Sequence, residues 1–93
     1  MIDKSVIQKI KNEVKIVELA ESLGLEPKKI GYNYFVKCPL HDDKNESLSI
    51  NPLKNLWQCF GCGAGGDCIS LYMKVKNKSF AETIADLSAL LGG

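Results

Sequence analysis

The feature that most restricts how this chain can fold is a pair of short motifs, Cys38-Pro39-Leu40-His41 and Cys59-Phe60-Gly61-Cys62. Together they spell C-x2-H-x17-C-x2-C. A tetrahedral Zn2+ takes four thiolate or imidazole ligands at roughly 2.0–2.3 Å, and a two-residue spacer lets one tight turn aim both of its ends at one ion. The single histidine of the chain stands at one of the four positions. The spacing therefore predicts one structural Zn2+ held by Cys38, His41, Cys59 and Cys62, each pair ending a strand and opening a turn. Four protein ligands fill the shell and leave no place for an activated water, so the metal is expected to fold the chain and not to catalyse. A 93-residue chain buries only about two-thirds of its unfolded surface, a size at which such a staple matters.

Other chemistries compete for the same residues. Gly61, Gly63 and Gly66 match G-x-G-x-x-G, but a dinucleotide site needs a βαβ unit, and this chain has nowhere to put the second parallel strand. A thioredoxin-like C-x-x-C leaves Cys38 and His41 unexplained. Gly65-Gly66 ahead of a helix start offers a weak anion cradle, for which a simple tight turn is the plainer account. Cys68 stands as an alternative to His41 in a four-cysteine site, yet it lies six residues past Cys62 on the expected first turn of a helix, where a buried, inert thiol is expected.

The chain divides into three zones within one domain, residues 1–93. Residues 1–24 are expected to form a helical lead-in: Ile7, Ile10, Val14 and Val17 recur at helical steps over 3–24, a pattern that also admits a break near Lys11–Lys15 into two short helices. Asp3 or Ser5 suits the start and Gly24 the end. Residues 25–66 are expected to form a small antiparallel sheet from runs at 31–37, 47–50 and 56–58, with Asn51-Pro52-Leu53-Lys54-Asn55 as the turn between the last two. Residues 67–91 return to helix, opened by Asp67 and, after a break, by a Ser79–Glu82 capping box, with Phe80, Ile84, Leu87 and Leu91 on one stripe. The fold class is α+β: a zinc ribbon whose small antiparallel sheet is flanked by N-terminal and C-terminal helices.

Charge adds little. The net charge is +1, and all twelve cations are lysine, so the bidentate guanidinium fork that commonly reads guanine is missing. No run is long enough to cross a bilayer and no signal peptide opens the chain, which places it in the cytoplasm without a membrane partner. Five of the seven aromatics, Tyr32, Tyr34, Phe35, Trp57 and Phe60, fall in the sheet zone among Lys28, Lys29, Lys37, Lys44 and Lys54. Aromatic faces stack bases while lysines track phosphates. Lys28, Lys29, Tyr32, Tyr34, Lys37, Lys44, Lys54, Trp57 and Phe60 are therefore the candidate contacts to single-stranded DNA. Alternation puts Tyr32 and Tyr34 on one face and Phe35 on the other, so some of these rings are expected in the core.

The stretch from Gly31 to Leu87 resembles the N-terminal zinc-binding domain of bacterial DnaG-type primases and related phage and plasmid primases. The matching pieces are Asn33-Tyr34-Phe35, Cys38-Pro39-x-His41, Lys44, Ser47, the Cys-Phe-Gly-Cys-Gly-x-Gly-Gly-Asp run from Cys59, and Phe80. Glu46, Leu48, Tyr32, Gln58 and Cys68 depart from the usual pattern but leave the ligand set intact. The resemblance implies a module that binds single-stranded template and assists primer initiation in DNA replication. Its implied partners are a polymerase domain in cis or in trans and, as a further candidate, a replicative helicase. The only adjacent acidic pair is Asp42-Asp43, so no nucleotide polymerisation by this chain alone is expected. The alternative function is a stand-alone adaptor of a mobile element, docking on a primase or helicase without touching DNA, which the near-neutral charge favours.

Overall fold

The computed structural model of the protein describes residues 3–38, 47–61 and 63–92. Four helices and five strands follow in the order α1 (Lys4–Glu13), α2 (Ile16–Ser22), β1 (Lys28–Ile30), β2 (Asn33–Val36), β3 (Leu48–Asn51), β4 (Leu56–Cys59), β5 (Gly65–Gly66), α3 (Cys68–Lys76) and α4 (Phe80–Leu90). The expected α+β architecture is the one observed, with the helical lead-in broken in two between Glu13 and Ile16.

Local chemistry sets the helix ends. Asp3 Oδ1 accepts from the Ser5 amide at 2.9 Å, and Asp67 Oδ1 accepts from the Ser70 amide at 3.0 Å, each satisfying a donor that helical geometry leaves open. Ser79 and Glu82 form the reciprocal capping box that opens α4. Asn77, left-handed at φ 53°, stops α3. Ile84 and Leu87 are buried as the stripe requires, but Phe80, the first residue of α4, is 40% exposed.

The strands form one antiparallel meander in sequence order. Its register sorts side chains cleanly, since alternate residues face opposite sides. One face carries the row Tyr34, Ile50, Trp57 and, beside it, Val36, Leu48, Cys59. Val36, Leu48, Ile50, Trp57 and Cys59 are all at most 3% exposed, and they share one core with Ile10, Ile16, Leu19, Leu71 and Leu87 of the helices. The other face carries Phe35, Ser49 and Gln58, with Asn33, Asn51 and Leu56 nearer the β3–β4 turn. No helix covers these residues to the extent seen opposite: Gln58 and Leu56 are exposed.

Two strands were not legible as runs of residues. The strand β1 is a pair of lysines and an isoleucine, all exposed, held by pairing to β2. The strand β5 is two glycines paired with Trp57 and Gln58. Gly66 has φ +157°, and a β-carbon there would collide with Ser70 Oγ. The Gly65-Gly66 pair therefore belongs to the sheet edge and its approach to α3. These glycines admit Ser70 Oγ and the Trp57 backbone carbonyl at close range, and beside them the Trp57 indole Nε1 donates to the Asp67 carbonyl at 2.9 Å and to Ser70 Oγ at 3.1 Å.

Candidate metal centre and the open sheet face

Pairing register brings Cys38 and Cys59 to one end of the sheet. Leu48 lies between Val36 and Cys59, so Cys38, two residues beyond Val36, emerges beside the end of β4 where Cys59 sits. Both cysteines are buried, at 3% and 0% exposure. The turn after Cys59 closes on itself: its amide donates to the Ala64 carbonyl at 2.8 Å, and the Gly63 amide donates back to the Cys59 carbonyl at 2.9 Å. Gly63 makes this possible at φ +78°, a conformation unfavourable for any side chain with a β-carbon. Ser47 secures the neighbouring strand entry, its carbonyl accepting from the Phe60 amide at 2.9 Å and its Oγ lying 3.6 Å from Cys59 Sγ.

These observations fit the donor set of a zinc site. Two soft donors, Cys38 and Cys59, are withdrawn from bulk water at one sheet end, and a tight turn follows the second of them. His41 and Cys62 fall outside the described residues, as does Lys44. Cys68, by contrast, is the first residue of α3, is fully buried, and places its Sγ 3.9 Å from the Ile10 carbonyl of α1. Burial pushes its thiol up to about 11, the Asp67 charge adding to the effect. A thiol so placed is packing, in keeping with the sequence expectation.

The predicted nucleic-acid contacts divide between the two faces and the sheet ends. Lys28, Lys29, Lys37 and Lys54 are exposed, Tyr32 is 90% exposed at the β1–β2 turn, and Phe60 is 68% exposed just past β4. Tyr34 is half-buried and packs against the core. Trp57 departs from expectation most. At 3% exposure, with its indole N–H directed at Asp67 and Ser70, it is a core residue and offers no face to a base. The physical reason is register: Trp57 is paired with Ile50, on the packed side.

Residues not predicted as contacts from the sequence also take defined places. Asn33, Ser49 and Gln58 line a groove on the open face. Asn55, left-handed at φ 58°, reaches from the β3–β4 turn to the helices. Its Nδ2 donates to the Lys11 and Val14 carbonyls at 3.0 and 2.8 Å, while its Oδ1 accepts from the Ile16 amide at 2.8 Å. One side chain thus satisfies the end of α1 and the start of α2. The strict alternation of Ser47-Leu48-Ser49-Ile50 was the available signal for Ser49; nothing local announced the partners of Asn55.

Comparison with known proteins agrees with this geometry. Residues 2–92 match the CHC2 zinc finger family, the zinc ribbon of DnaG type. DNA primase of Campylobacter jejuni is 38% identical over 90 residues, covering 97% of this chain and 15% of that protein. DNA primase of Staphylococcus epidermidis is 41% identical over 87 residues, covering 92% and 14% respectively. The crystal structure of the Aquifex aeolicus primase zinc-binding and RNA polymerase domains superposes with a TM-score of 0.87 at 33% identity, over 94% of this chain and 21% of that one. The chain thus spans about 15% of the length of the curated relatives it matches. Among the described residues no helix is long and apolar enough to cross a membrane. On the ligand motifs, the five-stranded meander and these likenesses together, the chain belongs to the CHC2 zinc finger family, the zinc-binding domains of DNA primases.

Proposed function

We propose that this chain binds single-stranded DNA template for a DNA primase and assists primer initiation, with one structural Zn2+ held by Cys38, His41, Cys59 and Cys62. The observation that carries the reading is the division of the sheet: one face is fully used by the core, while the other leaves Phe35, Gln58 and neighbouring polar groups facing outward beside Phe60. The metal would fix the turns at the Cys38 and Cys59 end, and so hold the open face flat enough for a strand to lie along it. Lys28, Lys37, Lys44 and Lys54 would meet phosphates, and Tyr32 and Phe60 would stack bases.

With a net charge of +1, few phosphates can be neutralised, so affinity should be weak, salt-sensitive and helped by a polymerase domain in cis or in trans. A replicative helicase is a further candidate partner. The alternative, an adaptor that docks on a primase or helicase without touching DNA, draws support from the exposed apolar side chains Leu53 and Leu56, at 91% and 44%. Titration of labelled single-stranded oligonucleotide into the zinc-loaded chain at low salt, with and without a primase polymerase domain, separates the two. Template binding predicts a salt-dependent rise in anisotropy; no rise under either condition favours the adaptor.

A further inference from the structure

A second groove, of about 300 Å3, lies between α2 and the packed side of the sheet. Ile16 and Val17 of α2, Tyr34 of β2 and Pro52 of the β3–β4 turn make much of its lining apolar, and the exposed Glu18 and Glu21 join them from the helix. Helical spacing explains the arrangement. Ile16, Leu19 and Ala20 are buried in the core, and Val17 and Glu18 each lie within one turn of Glu21 along the adjoining side of α2. The turn that closes the groove is held by Asn55, which accepts from the Ile16 amide at 2.8 Å and donates to the Val14 carbonyl at 2.8 Å. The groove is thus formed in advance of any ligand, which lowers the ordering cost of filling it.

Its charged and aromatic groups are not used within the molecule. Neither Glu18 nor Glu21 has an ion pair among the described residues. No cation lies over the Tyr34 ring among those residues either, the cation–π contact being Lys78 over Tyr72. Lys15 also lines the groove, but it stands six residues before Glu21, roughly 9 Å along the helix axis, so the carboxylate end is left for another cation.

We infer that this groove is a docking site for an arginine side chain presented by a partner protein. A guanidinium lies flat on an aromatic ring while its N–H fork meets carboxylates, and an ammonium cannot do both at once. The aliphatic stem of arginine suits the apolar stretch at Val17 and Pro52. A volume of about 300 Å3 is at the bottom of the range for small-molecule sites, roughly 300–1,000 Å3, and fits one long side chain. The chain contains no arginine, so neither its own residues nor a second copy supplies the group. The inference stands apart from template binding, because the groove lies on the packed side of the sheet and its two carboxylates repel phosphate.

The test titrates capped Ala-Arg-Ala, Ala-Lys-Ala and Ala-citrulline-Ala peptides into the zinc-loaded chain without DNA, followed by amide and tyrosine-ring chemical shifts. Saturable shifts are expected at Val17, Glu18, Glu21 and Tyr34. Arginine should bind about two- to fivefold more tightly than lysine, the range of an exposed cation–π contact, and the neutral citrulline peptide should be silent. Glu18→Gln combined with Glu21→Gln should abolish saturable binding of the arginine peptide at an unchanged thermal midpoint, since both side chains are exposed. Tyr34→Leu should bring the arginine-to-lysine ratio towards one, a comparison made on the same protein and so insensitive to any loss of stability. No saturable shift at these residues, an equal response to citrulline, or binding that survives the double substitution overturns the inference. Template binding, read with oligonucleotide, stands or falls separately.

Discussion

The two faces of the central sheet use similar residues to opposite ends. Trp57 and Phe60 are three positions apart, both aromatic and both beside the second cysteine motif, yet one is 3% and the other 68% exposed. Trp57 is paired with Ile50 and directs its N–H at the start of α3; Phe60 follows the last residue of β4 and keeps most of its ring in water. Composition alone assigns both to nucleic-acid stacking. Register assigns one to the core and leaves the other in solvent, because shifting by one residue along a strand reverses the face.

The largest effect expected from breaking this arrangement comes through the metal, which should organise both faces by holding their shared end. Chelation, or Cys59→Ser, should remove an apparent 10–16 kcal/mol of coupled binding and folding free energy and melt the sheet, read by circular dichroism and thermal midpoint. Acid should act the same way as protons displace the metal from its ligands. An unchanged midpoint after metal removal would break the comparison at its root.

Next in size, Trp57→Ala should cost about 3–5 kcal/mol of stability, measured by denaturant unfolding, since it empties a filled core site. Phe60→Ala should change stability by no more than about 0.5 kcal/mol but weaken oligonucleotide binding by roughly 1–3 kcal/mol. The two variants thus sharpen the comparison by losing different properties. Equal effects of both on binding, at full folding, would erase the distinction between faces.

Smaller still, Asn55→Ala removes three hydrogen bonds that join the β3–β4 turn to α1 and α2, and leaves alanine in a left-handed conformation. At about 1 kcal/mol for each bond, a loss of roughly 2–3 kcal/mol in denaturant unfolding is expected. Smallest and of opposite sign is Thr83→Val. The Thr83 hydroxyl is buried without a hydrogen-bond partner among the described residues, so the isosteric swap should raise the thermal midpoint by the equivalent of up to about 1 kcal/mol.

Much of this molecule was legible before its coordinates. Helix starts were plain because Asp3, Asp67 and the Ser79–Glu82 pair act within one turn of themselves. The middle strands were plain because β3 alternates apolar with polar residues and β4 buries every second one. What escaped was whatever depends on partners distant in sequence. The strand β1 has no apolar alternation, and β5 has no side chains at all; both exist through pairing. Asn55 reads as turn filler until its contacts 39 to 44 residues away are seen. The ligand motif was legible as spacing, and the structure adds that Cys38 and Cys59 leave the sheet at the same end. Trp57 was misassigned because aromatic content in a short run does not reveal which face a strand gives to its neighbours. Gln58 was noted only as a departure from the family pattern and Ser49 only as part of an alternating strand, because neither reading tells which polar residues share a groove.

Amide chemical-shift mapping of the zinc-loaded chain during titration with single-stranded DNA tests the central claim most directly. The account predicts shifts concentrated at Asn33, Phe35, Ser49, Gln58 and Phe60, with the exposed surfaces of α3 and α4 silent. Shifts confined to those helices, or to the β3–β4 turn alone, would contradict it.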